Sequence, residues 1–334
     1  MREPFLNWIS TIYAPEPFIR LWGTTVFICF LFHIAERLRP AERNQPHRAM
    51  LSNAWIMLVY AILSPIARAG GNYLACSFLT SLMYQLTGEW SLIDLKALTS
   101  ASSSIAQIAL LALLALAPFV AYDTFYYWFH RLQHSNSWLW EQHKLHHSDQ
   151  SLNVTTSSRI NWLEDFFKSV LVSLPMAVVL GLEPSQAGIL AALGGTLSHF
   201  WGVYLHSNIR LSYGRLSPLL SGPQFHRIHH SIEKHHQNRN FSTYFPIFDI
   251  LFGTYHRPEL DEYPKTGIVG EVGNPSLRVV LFGPLLNWAQ RLAAIMPRLA
   301  RTSMTKEQRR VVRPGAMSAA CPDYSKANMA GHTP

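Results

Sequence analysis

"FHRLQHSNSWLWEQHKLHHS", Phe129 to Ser148, places five histidines within twenty residues, and "FHRIHHSIEKHH", Phe225 to His236, repeats the pattern about eighty residues later. His130 and His134 are four residues apart, so on a helix their rings share one face, roughly 6 Å apart along the axis. His143, His146 and His147 follow the spacing H-x2-H-H. On a helix, residues i and i+3 or i+4 share a face, while adjacent residues diverge by about 100°. One helix of this kind can serve two neighbouring ions. The triplet recurs as His226, His229 and His230, giving eight imidazoles in three groups, and twelve of the chain's sixteen histidines lie between 130 and 236. His206, in "HFWGVYLHSN", follows an apolar run and stands as a ninth. Neutral imidazole suits iron, zinc, copper or nickel, so the spacing predicts a multinuclear metal site without naming its metal. A pH sensor also clusters histidines, but it has no need of repeated ligand spacing.

Composition limits what can surround such a site. The chain has 334 residues, 49% of them hydrophobic and only 14% charged, an apolar balance that suggests a membrane. Cys29, Cys76 and Cys321 lie far apart, so neither a disulfide framework nor a thiolate metal site is encoded. The net charge of +8 arises entirely after residue 200, where sixteen basic residues face eight acidic ones; up to residue 200 the count is twelve of each. These cations are scattered through apolar segments such as "RVVLFGPLLNWAQRLAAIMPRLAR", which fits a surface against anionic lipid headgroups and not nucleic acid.

Leu21 to Ile34, Ala54 to Ala67, Ile105 to Ala121, Val170 to Leu182 and Ala187 to Leu205 read as membrane spans. The third, "IAQIALLALLALAPFVA", is seventeen residues without a charge. The last two, separated by "EPSQ", form a helical hairpin. Tyr73 to Leu86 reads as an interfacial or re-entrant piece. No cleaved leader is expected, because the first apolar run begins after twenty residues that include Pro4, Pro15 and Pro17. Five spans place "ERLRPAERNQPHR", Tyr122 to Lys168 and everything after Leu205 on one face, and the excess of Lys and Arg assigns that face to the cytoplasm. The glycine pairs in "GGNYL" and "LGGTL" suit close helix contact and not phosphate binding.

"HRLQH", "HKLHH" and "HRIHH", together with "FDILFGTY" at 248–255, resemble the fatty acid hydroxylase / sterol desaturase superfamily of membrane di-iron oxygenases. The resemblance covers about 118 to 257, includes the apolar hairpin between the second and third boxes, and extends to "HSN" at 206–208 and "HHQNRNF" at 235–241. In "SRINWLED", Asn161 stands where the family often has a histidine, with an acid following at Glu164. The resemblance implies an all-α integral membrane protein with about four to five transmembrane helices and a cytoplasmic helical cap holding a histidine-box dimetal site. It divides the chain into an N-terminal membrane region (1–104), a catalytic domain (105–258), an amphipathic membrane-associated region (259–301) and a polar tail (302–334).

Carried over residue by residue, the resemblance assigns His130, His134, His143, His146, His147, His206, His226, His229 and His230 to metal. His199 and His236 are additional candidates, and Glu164 and Asn240 are candidate partners of the ligands. Asp123, Glu141, Asp149 and Asp165 are further carboxylates able to accept an imidazole N–H. The implied cofactor is a pair of iron ions, with zinc or another metal able to replace them in a purified sample. The implied reaction is O2-dependent hydroxylation or desaturation of a lipid such as a fatty acyl chain or sterol. No flavin, nicotinamide or haem fingerprint is present, so a separate electron donor is expected: a ferredoxin, cytochrome b5 or a reductase. The alternative is a histidine-rich membrane metal-binding or transport protein without oxygenase activity; it predicts polar ligands inside the spans, whereas the boxes follow them. A dizinc membrane hydrolase is a third reading.

Overall fold

In a computed structural model the described residues are 15–75, 81, 84–85, 104–180, 198–271 and 273–303. The chain divides into two compact units, Met1–Leu285 and Leu286–Pro334. Among the described residues the first unit is helical, with no β-strand and two isolated bridges, Pro40 to Ile209 and Ser231 to Thr266. Its long helices are α1 (Pro15–Leu38), α2 (His47–Ala75) and α3 (Ser104–Ser135). α4 (Ser137–His147) and α5 (Trp162–Lys168) follow, and α5 continues through a π-helical turn, Ser169–Ser173, into α6 (Leu174–Leu180). A helical segment at 198–206 precedes the short α7 (Pro223–His229) and α8 (Ile247–Leu251). α9 (Leu277–Ser303) runs on into the second unit.

α1 and α2 expose apolar side chains and bury several polar ones. On α1, Val26, Phe27, Phe30 and Leu31 are exposed while Thr25 is fully buried; on α2, Leu51, Leu58 and Ile62 are exposed while Ser52, Asn53 and Ser64 are buried. His47–Leu74 is long and apolar enough to cross a membrane, and 28% of its most apolar window is buried. No other described helix meets that length-and-composition measure. The expected count of four to five spans therefore goes beyond this one helix. Residues 181–197 of the hairpin expected at Val170 to Leu205, with its turn and "LGGTL" at 193–197, fall outside the described residues, as do much of Tyr73 to Leu86 and the tail after Ser303.

α2 packs closely on α5 because Gly71 lets it. A Cβ at Gly71 would stand 2.6 Å from the Phe166 carbonyl oxygen and 2.8 Å from the Ser169 Cβ, so "GGNYL" serves the close helix contact expected of it. One turn away, the buried Asp165 carboxylate accepts from Tyr60 (2.8 Å), Arg68 (2.8 Å) and Ser64, all on α2. Burial works against its charge, but Arg68, Lys168 and these donors hold its pKa down at about 2. α5 begins at Asn161, whose side chain caps Leu163 N–H and also donates to Val280 O at 2.9 Å, tying it to α9.

Candidate metal centre

Local sequence chemistry brings the first two boxes together. α3 ends at Ser135, and the Asn136 side chain accepts from the N–H groups of Trp138 (2.9 Å) and Leu139 (3.2 Å), starting α4 after a single residue. The third box lies on α7, which starts with Pro223 at its first turn, where the missing N–H costs nothing. Beyond it, Asp249 accepts from Phe241 N and Ser242 N, and Asp123 on α3 accepts from the N–H groups of Thr243, Tyr244 and Phe245. Two buried carboxylates thus fix the strip 241–245 against the helix of the first box.

The nine box and boundary histidines form two groups. His130, His134, His143, His147 and His229 make one; His146, His206, His226 and His230 make the other. Each H-x2-H-H triplet is split between them. The i, i+4 pair His143 and His147 faces the first group while His146 faces the second, and His226 and His230 face the second while His229 faces the first. The groups adjoin: the His147 and His230 rings stack with centroids 4.2 Å apart. All nine are buried except the half-buried His134. Phe241 packs against His130, His134 and His229, and Trp140 against His134 and His147, so the first group has an aromatic wall.

Hydrogen bonds outside the groups decide which nitrogen faces inward. His130 Nδ1 pairs with Phe241 O (2.8 Å), His143 Nδ1 with the Glu164 carboxylate (3.1 Å), His229 Nδ1 with Arg239 O (2.8 Å) and His206 Nδ1 with Gly202 O (2.6 Å). Carbonyl and carboxylate oxygens only accept, so each Nδ1 carries the proton and each neutral ring turns a bare Nε2 inward. Those Nε2 atoms then crowd one another: His130 and His143 at 3.1 Å, His143 and His147 at 3.1 Å, His134 and His147 at 3.1 Å. In the second group His206 lies 3.0 Å from His146 and 2.9 Å from His226, which lies 3.2 Å from His230. His229 Nε2 is buried without a hydrogen-bond partner. Between His130 and His143, both protonated on Nδ1, two lone pairs face each other and repel, whereas a cation between them turns the contact favourable. Adjacent ligands around an ion at ~2.1 Å stand about 3.0 Å apart in octahedral and about 3.4 Å in tetrahedral geometry. The donor set therefore fits two metal ions.

Electrostatics agree. Burial, reinforced by the other imidazoles, pushes His130, His134, His143, His146, His147, His226 and His230 well below the ordinary histidine range. His206 and His229 are lowered by burial to about 4. Burial also pushes Glu164 up to about 7, so its charge beside the neutral His143 ring is costly on its own and is favoured by a cation held on the far side of that ring.

The other candidates lie elsewhere. His199 contacts Thr25 Oγ1 at 3.0 Å and the Trp22 ring, apart from both groups. His236 joins His256 and Glu262 instead of the box histidines. Asn240 accepts from His256 N–H (2.8 Å) and donates to Phe225 O (3.2 Å), bracing the third box without touching an imidazole of either group. Asp149 accepts from Asn53 (2.6 Å) and Thr156 (2.6 Å). The carbonyls of Gly202, Arg239 and Phe241 carry no signal in sequence, because any residue supplies one. His256 and Glu262 escaped notice because they follow the boxes by more than twenty residues and form no spaced motif.

The fatty acid hydroxylase family profile matches residues 115–254, which hold all nine histidines. Over 146 residues the chain is 33% identical to an ornithine lipid hydroxylase, OlsE, of Rhizobium tropici, covering 44% of this chain and 43% of that protein. It is 31% identical over 137 residues to the alkylglycerol monooxygenase of Homo sapiens, covering 41% of this chain and 29% of that one. It is 26% identical over 150 residues to the very-long-chain aldehyde decarbonylase GL1-6 of Oryza sativa subsp. indica, covering 42% and 22%. The chain thus spans less than half the length of these relatives. No solved structure matches. The family profile and these relatives support the fatty acid hydroxylase superfamily for the histidine-bearing segment 115–254.

Proposed function

We propose that this chain is a membrane-bound di-iron oxygenase that hydroxylates, or desaturates, a C–H bond of a lipid. The observation that carries the proposal is the division of the histidine boxes into two adjoining buried groups, in which outer hydrogen bonds of His130, His143, His206 and His229 leave their Nε2 atoms bare and facing inward. A pair of iron ions held there would supply O2 reduction, with external electrons, and the oxidation of an unactivated C–H bond. The chain's own part is positional. Phe241 O, Arg239 O, Gly202 O and Glu164 hold the protons on Nδ1 and so fix ring orientation. Phe241, Trp140 and Tyr126 exclude water from the first group.

Membrane attachment is supported by the outward apolar faces of α1 and α2 and by the names of relatives that act on lipids. The loop after α1 packs on the box region: Ala41 N donates to Asn208 O (2.9 Å) and Arg227, between two histidines of the third box, pairs with Glu42 (3.0 Å). The excess of basic residues assigns that face to the cytoplasm. There a ferredoxin, cytochrome b5 or reductase would deliver electrons. The test is comparative lipidomics of cells with and without the protein, joined to iron analysis of the purified chain. A lipid class heavier by about 16 mass units marks hydroxylation and one lighter by about 2 marks desaturation; a lipid profile that does not depend on the protein would sink the proposal.

A further inference from the structure

A second cluster of ligating side chains lies beyond the third box. Glu262 Oε1 stands 2.8 Å from His236 Nε2 and 2.9 Å from His256 Nε2, and its Oε2 is 3.1 Å from His256 Nε2. His236 is 1% exposed and the other two are half-buried. None of the three belongs to either box group.

The cluster is built from outside itself. His236 Nδ1 lies 2.9 Å from Ser231 Oγ, which also accepts from Glu233 N–H (3.0 Å); Glu262 Oε2 accepts from Glu259 N–H (3.0 Å). His256 is placed by its backbone N–H, which Asn240 Oδ1 accepts at 2.8 Å. Ser231 directly follows His230 and forms an isolated bridge with Thr266, so the cluster sits where the chain leaving the third box meets the segment 256–266. Two imidazole nitrogens and one carboxylate oxygen are a common protein ligand set for zinc with a position left open for water. The three ligand atoms lie within 4.8 Å of one another, and a shift of about half an ångström outward from their hydrogen-bonded separations brings them to those of a tetrahedral ion.

We infer that His236, His256 and Glu262 form a third metal site, separate from the dimetal groups, that takes a borderline divalent cation such as Zn2+. An ion there fastens the stretch after His230 to the 256–262 segment and stiffens the exit of the third box. The site stands on its own residues and does not depend on what the box groups catalyse.

The full-length protein, purified in detergent, is dialysed to equilibrium against micromolar Zn2+ beside Glu262→Gln and His256→Ala, and bound zinc is counted by mass spectrometry. The wild type should hold about one ion per chain more than either variant, out of a total of about three. Glu262→Gln keeps the volume of the side chain and one acceptor oxygen, and an unchanged melting temperature of that variant shows that a loss of zinc is a loss of ligand charge and not of fold. Equal zinc in all three proteins would overturn the inference and leave a hydrogen-bonded His–Glu–His triad.

Discussion

His143 Nδ1 and the Glu164 carboxylate meet at 3.1 Å, both side chains buried, one reached from α4 and the other from α5. The carboxylate fixes the ring's tautomer and raises its donor strength. Glu164→Gln keeps an acceptor but removes the charge, and metal affinity of the first group should fall about 10–100-fold while the fold persists. Competition with a chelator of known affinity measures it; unchanged affinity in the variant would show that Glu164 is only packed beside the site.

The two groups should behave as one unit. His130 and His229 belong to the first, His146 to the second, and the His147 and His230 rings stack across the boundary. Alanine at any of His130, His146 or His229 should abolish lipid oxidation and reduce bound iron. A triple replacement should be little worse than a single one, as happens when residues act together. His47, exposed at the start of α2, is the control and should leave iron and activity near wild type. Full activity after replacing His146 or His229, with electrons supplied, contradicts a joint two-metal reaction.

Gly71 makes a sharper test of packing than any bulky residue in the stem. Its neighbour in sequence, Gly70, would place a Cβ 3.9 Å from the Phe166 ring, an ordinary contact, whereas Gly71 would drive one into the Phe166 carbonyl at 2.6 Å. Gly71→Ala should therefore destabilise the protein by about 1–3 kcal/mol by forcing α2 from α5, and Gly70→Ala by much less. Thermal unfolding of the two variants in detergent reads the difference.

The grouping of the histidines was legible because an α-helix converts spacing into direction: i and i+4 agree, adjacent residues part, and each H-x2-H-H triplet divides between two groups. What holds those rings was not legible. The acceptors of His130, His206 and His229 are backbone carbonyls, which every residue type offers, and Glu164 stood out only by resemblance. The apolar stem was legible as composition, but the pairing of Gly71 with Phe166 and of Asp165 with Arg68 is a matter of which faces meet, and single-sequence periodicity does not carry that.

The loop between α1 and α2 should share its side of the membrane with the start of α4. Arg39 O accepts from Arg210 N–H at 2.7 Å, and Glu42 reaches Arg227, so the loop is held on the box region. Single cysteines at Arg43 and Ser137, in a background without Cys29, Cys76 and Cys321, should react with an impermeant maleimide from the same side. Arg43 is exposed and avoids Asn44, whose φ of 60° would strain a cysteine. Labelling from opposite sides would contradict the packing.

Acid should separate metal-free from metal-loaded protein. His206 and His229 titrate at about 4 when folded, against about 6.5 for an unperturbed histidine, and burial lowers the other seven as well. A histidine whose folded pKa lies below its unfolded one takes up a proton on unfolding. Its neutral burial therefore costs no proton linkage above about 6.5, and stability is lost as pH falls from there toward 4. Each histidine that gains a proton adds a slope of up to about 1.4 kcal/mol per pH unit. Chelator-stripped protein should thus show a steep fall in melting temperature between about pH 6.5 and 5. Loaded protein should melt higher at pH 7 and fall more steeply still, because protons then also compete with the ions for the same Nε2 atoms. A stripped protein with a flat profile over that window would mean that the rings are already protonated when folded, and the inward-facing bare nitrogens would have to be abandoned.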